Sequence, residues 1–402
     1  MDPLRNPFSP GAGSPPPELA GRSDILNQAL MTLARVKRGR AEKSMLIIGL
    51  RGTGKTVLLH EISGLAEKEG YQSVMIEAHE KKSLPELLLP ELRRVLFSLD
   101  TGEMISSKVK RAFRVLKSFV SSVKISVKMQ DIDFGIGIES EKGTADSGDL
   151  EADLAQVFIA LGEAAQDRNT AVAVIIDELQ YLSDEELSSL IMAVHKISQK
   201  SLPVVVIGAG LPQLVGKAGR AKSYAERLFD YPELGPLEKE DAKVALQGPV
   251  QKEGESVFFT DEALDEIIRV TEGYPYFLQE WGYQAWNLAT QSPIDVDVAK
   301  QATKESIKRL DQSFFRVRFD RLTPREKEYL RALAELGSNP QRSGDVAEEL
   351  GLDVKNAAPL RNNLIKKGMI YSPKHGDTAF TVPLFEGFMK RIMPNFPHST
   401  KK

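Results

Sequence analysis

Short continuous apolar runs alternate along the chain with stretches of helical spacing. Ser44-Met-Leu-Ile-Ile48 and Ala171-Val-Ala-Val-Ile-Ile176 carry no polar alternate. That is the pattern of strands buried on both faces of a parallel sheet. Residues 202–208 form a third such run, and residues 70–77 read as another strand of the sheet. Between them, residues 57–66 have helical apolar spacing, and residues 23–38 read as a helix with Ser23 as its N-cap. Strands alternating with helices predict an α/β fold with a parallel sheet.

The pattern changes twice. Ile105, Val109, Phe113, Leu116 and Val120 give a basic stretch one apolar helical face, and residues 124–138 then alternate like a two-stranded ribbon. From Leu237 to about Asp311 the spacing is helical, punctuated by Pro249, Gly273 and Pro275, with Thr260 starting a helix. Thr323 and Pro324 open another helix as cap and first residue. Helices over about 324–336, 343–351 and 355–368 follow, then strand, turn and strand to Val382, the order of a winged helix-turn-helix. The expected organisation is a flexible Pro-rich arm over 1–18, a core over 19–236 with a basic insertion at about 104–148, a helical lid over 237–320 and a winged-helix domain over 321–392.

Composition adds exclusions. With 402 residues the chain has room for several domains, and 42% hydrophobic with 27% charged residues is ordinary for a globular protein. No cysteine is present, which rules out disulfides, thiolate zinc and thiol catalysis. No apolar run suits a membrane helix and no signal pattern opens the chain, so the expectation is a cytoplasmic protein. His60, His79, His195 and His375 are scattered and suggest no metal cluster. Trp281 and Trp286 sit among helical-core neighbours.

The candidate chemistry lies after the first strand. Gly49-Leu50-Arg51-Gly52-Thr53-Gly54-Lys55-Thr56 is a complete G-x-x-x-x-G-K-[ST] phosphate-binding loop, with Val57 continuing into the helix. Backbone N–H groups at a glycine loop and helix N-terminus cradle phosphate. Lys55 is placed to reach the β/γ-phosphates, and the Thr56 hydroxyl to hold Mg²⁺. About 120 residues later the 171–176 run ends in Asp177-Glu178, at the strand edge where ligands bind in open α/β sheets. Asp177 is expected to serve Mg²⁺, and Glu178 to polarise an attacking water.

Phosphate loop, acidic strand end, helical lid and winged helix together resemble the AAA+ P-loop ATPases, especially the origin-recognition and archaeal-type ATPases near the signal-transducing STAND group. The resemblance spans about residues 20–385 and implies ATP, ADP and Mg²⁺ as ligands. It implies that Ala20-Gly21-Arg22 contacts the adenine end and that Pro275, in Thr271-Glu-Gly-Tyr-Pro-Tyr276, belongs to a lid segment pressed on the nucleotide. Arg227, in Ala225-Glu-Arg-Leu-Phe229, matches the arginine finger of an ATP-dependent homo-oligomer, with Arg220 second. The sequence departs from many AAA+ proteins in two places. The third strand ends in Gly208-Ala-Gly210 instead of a polar γ-phosphate sensor, and the lid lacks the sensing arginine. Both departures favour a slow ATP-gated switch over fast turnover.

Two basic elements bear on partners. Residues 323–402 hold thirteen Lys/Arg against nine Asp/Glu, in a chain of net charge −3. Arg361, Lys366, Lys367 and Lys374 are the candidate contacts to duplex DNA phosphates, and Asn356, Asn362 and Asn363 the candidates for base edges. The alternative is a STAND-like signalling protein whose winged helix binds protein. A third reading is a nucleotide-binding transcription regulator without appreciable hydrolysis. Residues 104–128, with seven cations and no acid, suit nucleic acid, an acidic partner or simply a solvated helix face.

Overall fold

The computed structural model describes residues 1–11, 13, 15–100, 106–122, 139–253 and 257–395. They form two compact units. The first comprises Arg22–Gly49 and Lys55–Leu234. The second comprises Met1–Gly21, Leu50–Gly54 and Gly235–Lys402.

The first unit is a parallel sheet with helices on it. It runs α1 (Ser23–Lys37), β1 (Ser44–Gly49), α2 (Lys55–Lys68), β2 (Tyr71–Glu77), α3 (Leu84–Ser98), α4 (Ser107–Ser122), α5 (Leu150–Asp167) and β3 (Ala171–Asp177). A 3₁₀ turn (Leu179–Tyr181), α6 (Asp184–Gln199), β4 (Val204–Gly210), α7 (Gln213–Ala221), α8 (Ala225–Leu228), β5 (Phe229–Asp230) and β6 (Glu233–Leu234) complete it. The strand order is β2-β3-β4-β1-β5, with β6 also on β1, all parallel. β1, β3 and β4 are buried along their whole length, as their unbroken apolar runs require. Ser23 opens α1 instead of capping it, because the non-helical cap position falls on Arg22. The expected apolar face of the basic stretch is buried on α4, including Val109, Phe113, Leu116 and Val120. The ribbon expected over 124–138 lies outside the described residues.

In the second unit, α9 (Lys239–Glu253), α10 (Asp261–Thr271), α11 (Pro275–Leu288), α12 (Val296–Gln312) and α13 (Phe314–Asp320) form a helical cluster. The Thr260 hydroxyl caps α10. α14 (Pro324–Leu336), β7 (Gln341–Arg342), α15 (Ser343–Glu349), α16 (Val354–Lys366), β8 (Ile370–Tyr371), β9 (Asp377–Phe380) and α17 (Phe385–Ile392) follow. Three helices with a sheet ordered β7-β9-β8 make a winged helix. Thr323 and Glu326 close a capping box at the start of α14. The two-residue strand β7 and the final helix α17 were not foreseen, since two residues carry no periodicity.

The first nine residues of the proline-rich segment expected to be a flexible arm are docked in their own unit. Phe8 is only 2% exposed and packs edge-on to Phe259 at 6.5 Å. Gly282 on α11 makes the room, because a Cβ there would lie 2.5 Å from the Phe8 ring. The Asn6 amide donates to Tyr283 O and Asn287, and the Trp286 indole N–H donates to Asp2 O at 2.9 Å. Proline content predicts an extended backbone but cannot register one aromatic that fits a helix groove.

Phe8→Ala is therefore expected to release the segment. A buried phenylalanine contributes about 3 kcal/mol. Because both tryptophans lie on α11, release should red-shift the emission and make the Arg5 peptide bond sensitive to trypsin. Unchanged emission and protease resistance in Phe8→Ala would contradict the docking.

Candidate functional site

α2 begins at Lys55, so the lysine and Thr56 occupy its first turn, where free backbone N–H groups gather. Lys55 is 5% exposed. The Thr56 hydroxyl donates to Asp177 Oδ2 at 2.5 Å, joining the start of α2 to the end of β3. Burial holds the Asp177 carboxyl above its usual range and the neighbouring Glu178 charge adds to this. The Thr56 hydroxyl, the Glu178 N–H and Lys55 oppose the rise. A buried carboxylate beside a hydroxyl is a hard-oxygen donor pair, and it fits Mg²⁺.

Glu178 follows in a left-handed backbone conformation, φ 54°, uncommon for a residue with a side chain. Its N–H donates to Asp177 Oδ1 at 2.7 Å. The Gln180 amide donates to Glu178 Oε2. Gln180 was not singled out from the sequence. The available signal was a polar residue two positions after the acidic pair, and on its own that means little.

The segment Leu50–Gly54 packs in the second unit. Gly52 and Gly54 have φ of 85° and 94°, which the loop turns demand of glycine. The Tyr276 N–H donates to Gly52 O at 3.3 Å, and the Tyr274 hydroxyl donates to Arg51 O. Pro275 stands between them as the first residue of α11. Burial raises the Tyr274 phenol far above its ordinary value, so it stays a donor. Arg51 also meets the winged helix, since a Cβ on Gly368 would lie 2.9 Å from its guanidinium. Burial, then the charge of Arg51, lowers Arg318 to about 10. Arg22 is 9% exposed in the first unit.

Residues 18–207 match the family described as the AAA ATPase domain, which agrees with the loop, sheet and acidic strand end. Residues 312–389 match a family described as a domain of unknown function. An uncharacterized HTH-type transcriptional regulator of Methanocaldococcus jannaschii is 20% identical over 343 residues, covering 83% of this chain and 79% of that protein. The Aeropyrum pernix ORC2 protein, solved as ADPNP–ADP complexes, superposes with a TM-score of 0.51 at 16% identity, over 96% of this chain and 98% of that one. The Aeropyrum pernix ORC1 protein in complex with DNA gives 0.47 at 15% identity, over 94% of each chain. The fold of the chain is thus AAA+ in type, with a winged helix after the helical cluster.

Arg227 lies toward the N-terminal ends of the sheet strands, the end opposite to the one where the phosphate loop leaves β1. It precedes Phe229, which pairs with Ser44 at the N-terminal end of β1, whereas the loop leaves β1 at Gly49. Five strand steps are about 16 Å. That is farther than an arginine side chain extends, so Arg227 does not serve its own loop. It is exposed and lines a cavity of about 240 Å³ with Arg40, Lys43 and Ser198. Arg220 is also exposed, in the last turn of α7.

The basic elements are largely spent on internal pairs. On α4, Lys108 pairs with Glu163 at 3.0 Å, Arg111 with Glu141 and Glu163 at 3.1 Å, and Arg114 with Glu141 at 3.5 Å. This favours a solvated helix face over a nucleic-acid track for the described part of 104–128. On the winged helix, Arg361 donates to Thr378 Oγ1 and Asp377 O at 2.8 Å, which ties α16 to the wing. Lys367 pairs at 2.7 Å with Glu326, the capping-box acid that is 3% exposed. Arg361 and Lys367 are therefore both paired within the winged helix, Arg361 half-buried and Lys367 exposed. Lys366, Lys374, Asn356, Asn362 and Asn363 are exposed. Lys355 joins them on α16 and was missed. No helix among the described residues is long and apolar enough to cross a membrane.

Burial pushes the Glu326 carboxyl upward, but Lys367 and the Thr323 N–H outweigh it and hold it below its ordinary value. A lowered folded-state value stabilises above the unfolded carboxylate range and is lost as pH falls through the folded value. Lys367→Ala should cost about 1 kcal/mol near neutral pH, the partly exposed ammonium keeping the figure small. The deficit should shrink in acid as Glu326 protonates. An equal deficit at pH 3 and pH 7 in denaturant melts would contradict this.

Proposed function

We propose that the chain binds ATP with Mg²⁺, hydrolyses it slowly, and uses the nucleotide state to change how its winged helix binds duplex DNA. The observation that carries this reading is the contact between Thr56 and Asp177 beside buried Lys55, the donor set a metal–nucleotide complex needs. Gly49–Thr56 and Val57 would bind the phosphates through backbone N–H groups, with Lys55 on the β/γ oxygens. Bound between Thr56 and Asp177, Mg²⁺ would neutralise charge developing on the phosphates. Glu178 would orient and polarise the attacking water. Arg22 and Pro275 are the proposed contacts at the adenine end and in the lid.

The proposed route to the winged helix is Arg51. Leu50–Gly54 touches Tyr274 and Tyr276 of the lid and, through Arg51, Gly368 at the end of α16. A loop drawn onto phosphate would shift all three contacts. Arg227, too far from its own loop, is proposed as the finger donated to a neighbouring copy, with Arg220 as the alternative. The name of the Methanocaldococcus jannaschii relative supports a regulatory DNA-binding role. The Asn- and Lys-bearing exposed face of α16 supports it from the fold. The STAND-like alternative replaces DNA with a protein partner on the same face.

Lys55→Ala should lose ATP binding in calorimetry. Glu178→Gln should bind normally and turn over about 10²-fold more slowly. Normal binding by Lys55→Ala would reject the site. Mixing Lys55→Ala with Arg227→Ala should restore turnover, since each supplies what the other lacks. No recovery in mixed oligomers would reject a finger acting in trans.

For the DNA reading, charge reversal at Lys366 and Lys374 should weaken binding to unrelated duplexes and lower the salt slope by about one per lost contact. If the full-length protein with ATP binds no duplex at low salt, the protein-partner reading replaces it.

A further inference from the structure

The polar residue expected at the end of the third core strand is missing, because β4 ends in Gly208-Ala209-Gly210. The structure fills that place from another element. Gln180, in the 3₁₀ turn after β3, accepts a hydrogen bond through Oε1 from the Leu211 N–H at 3.1 Å. Its other terminal atom, Nε2, donates to Glu178 Oε2. One amide thus ties the end of β4 to the Glu178 carboxylate.

Gly210 is what admits it. A Cβ at that position would lie 2.9 Å from Gln180 Oε1 and 2.7 Å from Leu214 Cδ2. The turn carrying Gln180 is held from below as well, since the Lys217 ammonium on α7 donates to Gln180 O at 3.4 Å and to Leu182 O. Glu178 needs such a holder. Its left-handed backbone puts the carboxylate on a sharp corner between β3 and the 3₁₀ turn, and its backbone N–H is already engaged by Asp177.

We propose that Gln180 is the positioning residue for Glu178, standing in for the strand-end polar residue that β4 lacks. Its amide has two ends with different duties. Oε1 anchors to the backbone of β4, and Nε2 fixes the orientation of the carboxylate that polarises water. The proposal rests on Glu178 being the base.

The test uses the full chain with Mg-ATP, measuring kcat, KM and the affinity for a non-hydrolysable ATP analogue. Gln180→Leu should lower kcat about tenfold or more while KM and analogue affinity stay within about threefold. Gln180→Glu keeps the length and the acceptor for the Leu211 N–H but loses the donor. It should be equally slow. If only the anchor on β4 mattered, Gln180→Glu would turn over like the parent, and that result overturns the proposal. Gln180→Glu also covers the case in which Gln180→Leu fails to fold. Because Gln180 acts through Glu178, the double variant Glu178→Gln/Gln180→Leu should be no slower than Glu178→Gln alone, within about twofold. A further multiplicative loss would mean that Gln180 acts on the phosphate directly, which overturns the positioning role. Parent-like turnover by Glu178→Gln removes the base assignment and this proposal with it. Slow Glu178→Gln beside fast Gln180→Leu removes this proposal alone.

Discussion

The hydrogen bond between Thr56 and Asp177 is the constraint on which the candidate site depends. It joins two points 121 positions apart in sequence, the first turn of α2 after β1 and the end of β3, and those two strands are not neighbours because β4 lies between them. Two strand spacings separate β1 from β3, about 10 Å. The gap closes because the chain leaves β1 for β2, at the far edge beyond β4 and β3, and α2 must cross the sheet face to get there. The first turn of α2 is thereby carried over the end of β3. Parallel register then places the Asp177–Glu178 corner at the same edge of the sheet as the loop. A shift of one residue in β3 would turn Asp177 to the opposite face and dissolve the donor pair.

The same economy governs charge. The chain carries 53 basic side chains, and the structure separates those that hold the fold from those that are available to a partner. Arg361 and Lys367 look equivalent to Lys366 in sequence, yet Arg361 on α16 bonds to the wing and Lys367, just past the helix, pairs with the capping-box acid. Lys366, one residue before Lys367, is exposed on the last turn of α16. Lys108, Arg111 and Arg114 of α4 are likewise matched by two acids, Glu141 and Glu163, from elsewhere in the unit.

The sheet strands, the phosphate loop, the acidic strand end and the three helices of the winged domain were legible in the sequence. Each is a local pattern of several residues with one physical meaning: unbroken apolar runs, a glycine-lysine signature, or the Thr323–Glu326 capping box. The strand order, β7, α17 and the docking of Phe8 were not. The docking turns on a missing Cβ at Gly282, more than 270 positions from the ring it admits.

The sequence by itself determined which side chains are the candidates for phosphate and metal, because that chemistry needs particular residue types at particular spacings along one loop and one strand. The tertiary structure alone decided how those groups are held. Gln180 sits beside Glu178 only because β4 ends against the 3₁₀ turn, and Arg227 is remote from its own loop only because β5 runs parallel to β1. Local pattern encodes the chemistry a residue can do. Its orientation comes from contacts between segments far apart in the chain, and no periodicity records those.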